Sequence, residues 1–471
     1  MNAELRRYVW LELTRFRLIA TPIIVAVVMF LIVASGGDNP WDTIASASLA
    51  AFSLCVLIVG SARAFASVTE EVRDRTWDFQ RMSALPPWSL AIGKMIGAPL
   101  FMSYIGLCCM IAFLLAATQS RVPHPVLTAV TYVAAAVLLH GLAVALSAAL
   151  ARSTLSPRAR RGLPVVVVLL VLFSFVPSLA FRLMAAKGDD QSLGMLGWYG
   201  LGSISIELFS ALTLIVFAAW AVFAAWRAMA RELREQAWWW AWPLFAGFVW
   251  LWFAGLDATA LGGKFDPGAL AACVALCLLV AACYLQFLLD PLTHVSLARL
   301  AQSEVETQTK PWHQRLPHWA IHAAIAVLAA AVAAVIGGGM HIATLGRGAL
   351  DETVPVGLTV ALPLALMFIR DAAIVSCFTL STRMKRPLGA ALFCVLALNV
   401  LLPWALNAVG LATLAQWAFP FFNDPRSPWP MAATGFAAHA VLALGVLWWL
   451  RFSGQSAAVR SNDAVNPQHH T

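Results

Sequence analysis

A chain of 471 residues that is 61% hydrophobic and only 11% charged cannot cover a soluble surface, since soluble domains carry about 25% charged residues. Its eight cysteines stand in apolar stretches and form no Cys-x-x-Cys pair, which argues against a disulfide framework or a zinc cluster. In such a chain the net charge of +8 fits loops facing anionic lipid and calls for no nucleic acid partner. The composition therefore predicts an integral membrane protein.

The apolar stretches are long enough for helices that cross a bilayer, because a hydrocarbon core about 30 Å thick needs about 20 helical residues. Helices are favoured over barrel strands because lipid cannot satisfy an open backbone and the runs are too long for strands. The predicted fold is all-α, a polytopic membrane helical bundle of about 12 transmembrane helices. The runs are 18–35, 44–62, 95–118, 126–150, 163–181, 201–226, 238–257, 269–289, 320–343, 355–380, 388–408 and 431–450.

The basic residues predict the orientation of these helices. If the N-terminus is inside, most of the 31 lysines and arginines fall in segments that face the cytoplasm. Both termini are therefore expected to be cytoplasmic, in a multi-pass protein of the cytoplasmic (inner) membrane. The first apolar run begins only near Leu18, so the N-terminal segment is long for a cleaved signal, and an uncleaved anchor is expected.

The loop between the second and third runs has the strongest local pattern. Apolar side chains recur at helical spacing, which predicts one amphipathic helix: Phe65, Val68, Val72, Thr76, Phe79 and Met82. Pro86 and Pro87 then stop the helix, and Gly93 with Gly97 forms a small-xxx-small pair where the next span begins. The pattern fits either a surface helix or a docking element for a soluble partner.

The same loop resembles the cytoplasmic coupling region of ABC-2-type ABC transporter permeases. That family's loose pattern is an acidic cluster, Gly-Thr-Leu-Glu, a proline, and Gly-Lys at the next helix. The matching residues are Glu70 and Glu71, Thr76, Asp78, Pro86, and Gly93 with Lys94. Arg75 stands where glycine is usual, and Trp77 stands where leucine is usual.

The resemblance implies that the loop seats on a separate ABC ATP-binding subunit, whose closure on ATP moves the bundle. The residues expected to dock are Glu70, Glu71, Arg73, Asp74, Arg75, Thr76, Trp77, Asp78, Arg81, Pro86, Gly93 and Lys94. It also implies that the stretch from Glu4 to Arg17 is an elbow helix on the membrane surface. The residues that would face lipid are Leu5, Tyr8, Val9, Leu13 and Phe16. The residues that would meet headgroups are Arg6, Arg7, Arg15 and Arg17.

Permeases of that family commonly have six helices per half and work as dimers, so the resemblance implies that twelve runs in one chain are two fused six-helix halves. Residues 1–230 would form the first half, 231–455 a more divergent second half, and 456–471 a polar cytoplasmic tail. The loop 290–319 would then be a degenerate second docking loop. The chain would act as a self-sufficient pseudo-dimer or as a homodimer.

No phosphate-binding Gly-x-x-x-x-Gly-Lys-Ser/Thr motif occurs in the chain, since Met95 follows Gly93-Lys94. We therefore expect no catalytic residue, metal or cofactor in this chain, and ATP and Mg²⁺ in the partner subunit. The chain itself is expected not to be an enzyme.

Two other functions remain open at this stage. A 12-helix secondary transporter would need charged groups within the membrane, and the candidate polar sites are Glu207, Arg370 and Asp371. A polytopic membrane enzyme would need acidic loops, whereas the acids in the outer loops are scattered. At Arg370-Asp371 either a helix ends or an adjacent ion pair is buried in the bundle.

Overall fold

The fold comes from a computed structural model. It describes residues 2–34, 39–83, 85–120, 122–151, 195–200, 203–233, 240–255, 362–380 and 387–411, with isolated residues or single turns at 276–355 and 437–445. The chain divides into two compact units. The first comprises Met1–Leu196 and Leu201–Trp238, and the second comprises Gly197–Gly200 and Trp239–Thr471.

The first unit is mostly helical. Its helices are α1 (Ala3–Glu12), α2 (Arg15–Ala34), α3 (Pro40–Phe52), α4 (Ser61–Arg73), α5 (Trp77–Met82), α6 (Pro87–Gly97), α7 (Leu100–Ala117), α8 (Pro125–Ala151) and α9 (Ile206–Glu232). A π-helical stretch, Ser53–Gly60, joins α3 to α4. Two three-residue strands, β1 (Met195–Gly197) and β2 (Ser203–Ser205), pair before α9.

Five helices among the described residues are long and apolar enough to cross a membrane: Arg15–Ala34, Pro40–Arg73, Leu100–Ala117, Pro125–Ala151 and Ile206–Glu232. They confirm the prediction of a mainly helical, multi-pass membrane protein. Each corresponds to one of the predicted runs, whereas the run 163–181 lies outside the described residues. The count of 12 and the side on which the termini lie stay predictions.

The second of these spans is longer than the sequence predicted. The expected run was 44–62, but one continuous helix covers Pro40–Arg73, 34 residues in all. It begins at Asn39, whose side-chain oxygen accepts from the Trp41 backbone N–H, with Pro40 in the first turn. Because the helix continues past the apolar run, α4 extends the span into the polar loop.

Small residues let the helices of the first unit approach closely. A Cβ on Gly141 of α8 would lie 2.9 Å from the Ala221 backbone of α9, as expected for contacts between membrane helices. The core between α3, the π-helical stretch and α7 contains Phe52, Val56 and Phe113. The buried His140 ring on α8 hydrogen-bonds the Val56 carbonyl at 3.0 Å.

The second unit has fewer described residues. Its elements are α10 (Ala241–Ala254), β3 (Gly339–His341) and β4 (Thr353–Pro355), which pair antiparallel, α11 (Leu362–Leu380), α12 (Pro387–Leu396), a π-helical stretch (Ala397–Leu401) and α13 (Leu402–Ala408). These helices overlap the predicted runs 238–257, 355–380 and 388–408. The runs 269–289 and 431–450 contain only isolated described residues or pairs, and the run 320–343 contains, besides such residues, one helical turn and, near its end, strand β3. The loop 290–319 and the tail 456–471 lie outside the described residues.

Candidate partner-docking site

The predicted loop helix is two helices with a turn between them. Helix α4 ends at Arg73 and α5 begins at Trp77, so the expectation of one helix from Phe65 to Met82 was wrong. The apolar stripe divides accordingly. Phe65 and Val68 are buried in the bundle, whereas Phe79 and Met82 are 72% and 76% exposed.

The turn is a Schellman motif, which ends a helix with one left-handed residue. The Thr76 N–H donates to the Glu71 carbonyl at 2.9 Å, and the Arg75 N–H donates to the Val72 carbonyl at 3.3 Å. Arg75 itself has φ of 60°, a conformation that favours glycine because it has no Cβ. The position where the resembling family usually carries glycine is therefore the position whose backbone requires it.

This geometry predicts that Arg75→Gly stabilises the fold. An L-residue in the left-handed region is less favourable than glycine by about 1 kcal/mol, and thermal unfolding in detergent should show a gain of that size. Arg75→Ala removes the same charge but keeps the Cβ, so it serves as the control and should show no gain. Equal stability of the two variants would contradict this account of the turn.

Behind the turn, four charged side chains from three helices form what we call the charge cluster: Glu4, Arg7, Glu71 and Lys94. The Lys94 ammonium lies 2.5 Å from one Glu71 oxygen and 3.5 Å from Glu4. Arg7 lies 2.9 Å from the other Glu71 oxygen and 2.8 Å from Glu4. Each carboxylate therefore contacts both cations, and the formal charges cancel.

Burial makes this pairing necessary. The Lys94 side chain is 0% exposed and those of Glu4 and Glu71 are 6% and 13% exposed, and buried charges are unfavourable unless paired. The Lys94 ammonium also lies 5.3 Å from the Trp77 ring centre, within the range of a cation–π contact. Gln80 on α5 donates to Glu71 at 2.8 Å. The loop is thus bonded to α6 and α1 through one carboxylate.

The cluster also changes the pKa of two groups on α1. Burial lowers the pKa of Arg7, but its hydrogen bond to Glu71 and the nearby Glu4 carboxylate outweigh burial, so the pKa is raised overall. Burial first, and then the Glu71 charge, raise the pKa of the Tyr8 hydroxyl. Both groups keep their ordinary protonation state at neutral pH, and Arg7 stays charged.

Helix α1 can reach the cluster because α6 presents glycines to it. A Cβ on Gly93 would lie 2.6 Å from the Glu4 Cβ, and one on Gly97 would lie 2.4 Å from the Tyr8 ring. Asn2 caps α1 and donates its side-chain amide to the Ser89 carbonyl at 2.7 Å. The small-xxx-small pair was visible in the sequence, but its partner, α1, was not.

The remaining predicted docking residues are mostly open to solvent. Glu70 and Pro86 are exposed, and Pro86 precedes the first turn of α6. The exposed pair Arg73–Asp74 is 2.9 Å apart, and Asp78–Arg81 is 3.4 Å apart. Glu71 faces Lys94 and Arg7 rather than Arg75, which stands four positions further along the chain.

Helix α5 is held against the end of α9. Arg81 donates to the Glu232 carbonyl at 3.2 Å, in the last turn of α9, where carbonyls lack helical partners. Beside this contact a depression of about 260 Å³ opens, and Trp77, Arg81 and Glu232 form part of its wall. The described part of the loop is therefore folded against the end of α9.

The three predicted intramembrane polar residues have different surroundings. Glu207 lies in the first turn of α9, behind the N-cap Ser205, so it stands at the end of its helix rather than within it. Helix α11 continues through Arg370 and Asp371, which are 1% and 2% exposed and paired at 2.8 Å. Of the two interpretations of that dipeptide, the structure shows the buried ion pair.

Two polar neighbours, Tyr284 and Asn399, are hydrogen-bonded to that pair, and we call the four residues the α11 network. Tyr284 donates to Asp371 at 2.6 Å, and the Asn399 amide donates to the same carboxylate oxygen at 3.0 Å. Arg370 in turn donates to the Asn399 side-chain oxygen. Sequence analysis did not identify Tyr284 or Asn399, since the two are 115 positions apart and nothing local links them to α11.

Sequence analysis also missed the role of Glu4 and assigned Arg7 to lipid headgroups. The three-residue spacing of these two residues on α1 is a signal for pairing. No local signal connects them to Lys94, 90 positions away. Among the described residues, no group of three His, Cys, Asp or Glu side chains is arranged to hold a metal ion. No family model, curated protein or solved structure matches the chain.

Proposed function

We propose that this chain is the transmembrane permease subunit of an ATP-driven transporter of the ABC-2 type, and that it exports its substrate using a separate ATPase subunit. The observation that carries the proposal is the Schellman turn at Arg75. The motif residues on both sides of that turn form one folded element, and its backbone suits the glycine that the resembling family has there.

The charge cluster supports the proposal mechanically. A motor subunit that pushes on the loop can move the bundle only if the loop is tied to more than one helix. Here Glu71 is bonded to Lys94 of α6, to Arg7 of α1 and to Gln80 of α5. Force applied at α5 would therefore reach two neighbouring helices through short ionic contacts.

The exposed side of α5 is the proposed contact surface. Phe79 and Met82 are 72% and 76% exposed, although both are large apolar side chains of the kind found at the centre of protein interfaces. Charged side chains flank them: Arg73, Asp74 and Asp78 are exposed, and Arg81 is half-buried. An apolar centre with a charged rim is the usual composition of a docking surface.

Co-purification with an ABC ATP-binding subunit, sought first in the reading frames adjacent to this chain's gene, tests the proposal. Phe79→Glu with Met82→Glu should weaken the complex by about thirtyfold or more, because the loss of even one side chain at an interface centre costs about 2 kcal/mol or more. The matched control, Phe79→Leu with Met82→Leu, keeps the surface apolar and should retain the complex. ATPase coupling should follow binding in each variant.

Two outcomes would contradict the proposal. One is a complex that forms equally well with the glutamate and leucine variants, which would place docking elsewhere. The other is uptake driven by an ion gradient in vesicles that contain this chain alone, without nucleotide. That second result would favour the secondary transporter, whose charged candidates Arg370 and Asp371 are here bonded to each other.

A further inference from the structure

Helix α1 has an outward face that stays exposed among the residues of the first unit that the structure describes. The Trp10 side chain is 82% exposed, and Phe16 at the start of α2 is 79% exposed. Arg6, one turn before Trp10, and Arg15, directly before Phe16, are exposed as well. The opposite face, with Glu4 and Tyr8, packs on α6. Tyr8, which was predicted to face lipid, therefore packs on α6 instead.

The arginines of this segment fall into two groups. Arg7 is bonded within the charge cluster, and Arg17 is paired with Glu12 at 2.7 Å and lies 4.8 Å from the Phe101 ring centre. Arg6 and Arg15 make no ion pair with the residues that the structure describes. Their guanidinium groups therefore remain open to a ligand, and guanidinium forms paired hydrogen bonds with phosphate.

The position of α1 indicates which kind of ligand the two arginines would meet. It ends at Glu12, and the span α2 begins at Arg15, so the outward face lies at the boundary where that span enters the bilayer. Exposed tryptophan and arginine together are the residues that settle among lipid headgroups. Negative headgroups would balance the two open arginines, whereas zwitterionic headgroups carry no net charge.

We propose that the outward face of α1 and the first turn of α2 together form a binding surface for anionic phospholipid headgroups. Arg6 and Arg15 are the phosphate contacts, and Trp10 and Phe16 are seated in the interface. Lipid held there keeps α1 at the membrane surface and so supports its packing on α6. Because Arg7 on the same helix bonds Glu71, the charge of the membrane acts on the loop as well. This inference does not depend on the ATPase partner.

The test uses the purified full-length chain in neutral detergent, to which dioleoylphosphatidylglycerol or dioleoylphosphatidylcholine is added while thermal unfolding is followed. Phosphatidylglycerol should raise the unfolding midpoint more than phosphatidylcholine does, and added salt should reduce the difference by screening. In Arg6→Gln with Arg15→Gln, half-saturation should need about thirtyfold more phosphatidylglycerol, since each arginine near an anionic surface contributes about fivefold to affinity.

Two controls keep the test specific. Arg6→Lys with Arg15→Lys retains the charges and should keep most of the extra stabilisation by phosphatidylglycerol, even if the glutamine variant does not fold. Arg73→Gln with Arg75→Gln removes two arginines that are not on α1 or α2, and it should keep the extra stabilisation in full. Equal effects of the two lipids would overturn the proposal. So would a glutamine variant that responds normally to lipid but loses the ATPase subunit, because α1 would then be a protein interface.

Discussion

Replacing Lys94 by methionine is expected to lower the free energy of unfolding of the first unit by about 3 kcal/mol, because removal of one partner leaves a buried charge uncompensated. Lys94 is 0% exposed and lies between Glu71 and Glu4, so its loss leaves two carboxylates with Arg7 as their shared cation. Methionine preserves the apolar volume, which limits the packing change. Denaturant titration in detergent micelles measures the difference.

The pair Arg73–Asp74 provides the matched control for this experiment. Its N···O distance is 2.9 Å, between the 2.5 Å and 3.5 Å of the two Lys94 pairs, but its side chains are 64% and 57% exposed. Exposed pairs contribute about 0–1 kcal/mol. Arg73→Met should therefore change stability by less than 1 kcal/mol. If Lys94→Met is no more harmful than Arg73→Met, the charge cluster is not what holds the loop to α6 and α1.

In the second unit, Arg370→Met should cause a loss of about 3–5 kcal/mol, the range for breaking a buried ion pair. Asp371 would keep its hydrogen bonds from Tyr284 and Asn399 but would lose its counter-charge at 2% exposure. The loss should appear in the unfolding free energy and in a lower thermal midpoint. Helix α11 itself should persist, because neither residue caps it.

The double variant Arg370→Met with Asp371→Leu tests whether the loss of stability comes from breaking the ion pair or from each substitution independently. Replacing a whole buried pair with apolar side chains is often neutral or stabilising, so the double variant should be far more stable than the sum of the single changes. Additive losses would show that the two residues act independently. If transport is also measured, normal activity of a stable double variant would exclude this pair from a substrate path.

Composition and apolar periodicity were sufficient to predict a helical membrane protein and the approximate positions of its first spans, because lipid exposure imposes length and apolarity directly on the sequence. The turn at Asp74–Thr76 was not predictable in the same way. Arg75 is an unlikely residue for a left-handed position, and the apolar spacing continues across the turn. Local pattern therefore favoured one helix where hydrogen bonding forms two.

The candidate site was predictable as a segment but not as a set of contacts. The resemblance identified Glu71 and Lys94 separately, and neither spacing nor composition indicates that two residues 23 positions apart meet at 2.5 Å. Burial of a lysine is the least expected feature, since lysine is almost never fully buried unless paired. Trp77 was unusual for the family position, and the structure places it against that lysine.

The unbroken helix Pro40–Arg73 has a mechanical consequence. At 1.5 Å per residue its 34 residues measure about 51 Å, whereas a hydrocarbon core is about 30 Å thick. A tilt of about 10° around its midpoint would swing its tip sideways by about 4 Å, by simple geometry from that length. Since Glu71 stands near the tip and is paired with Arg7 of α1 and Lys94 of α6, such a tilt would carry both neighbouring helices with it.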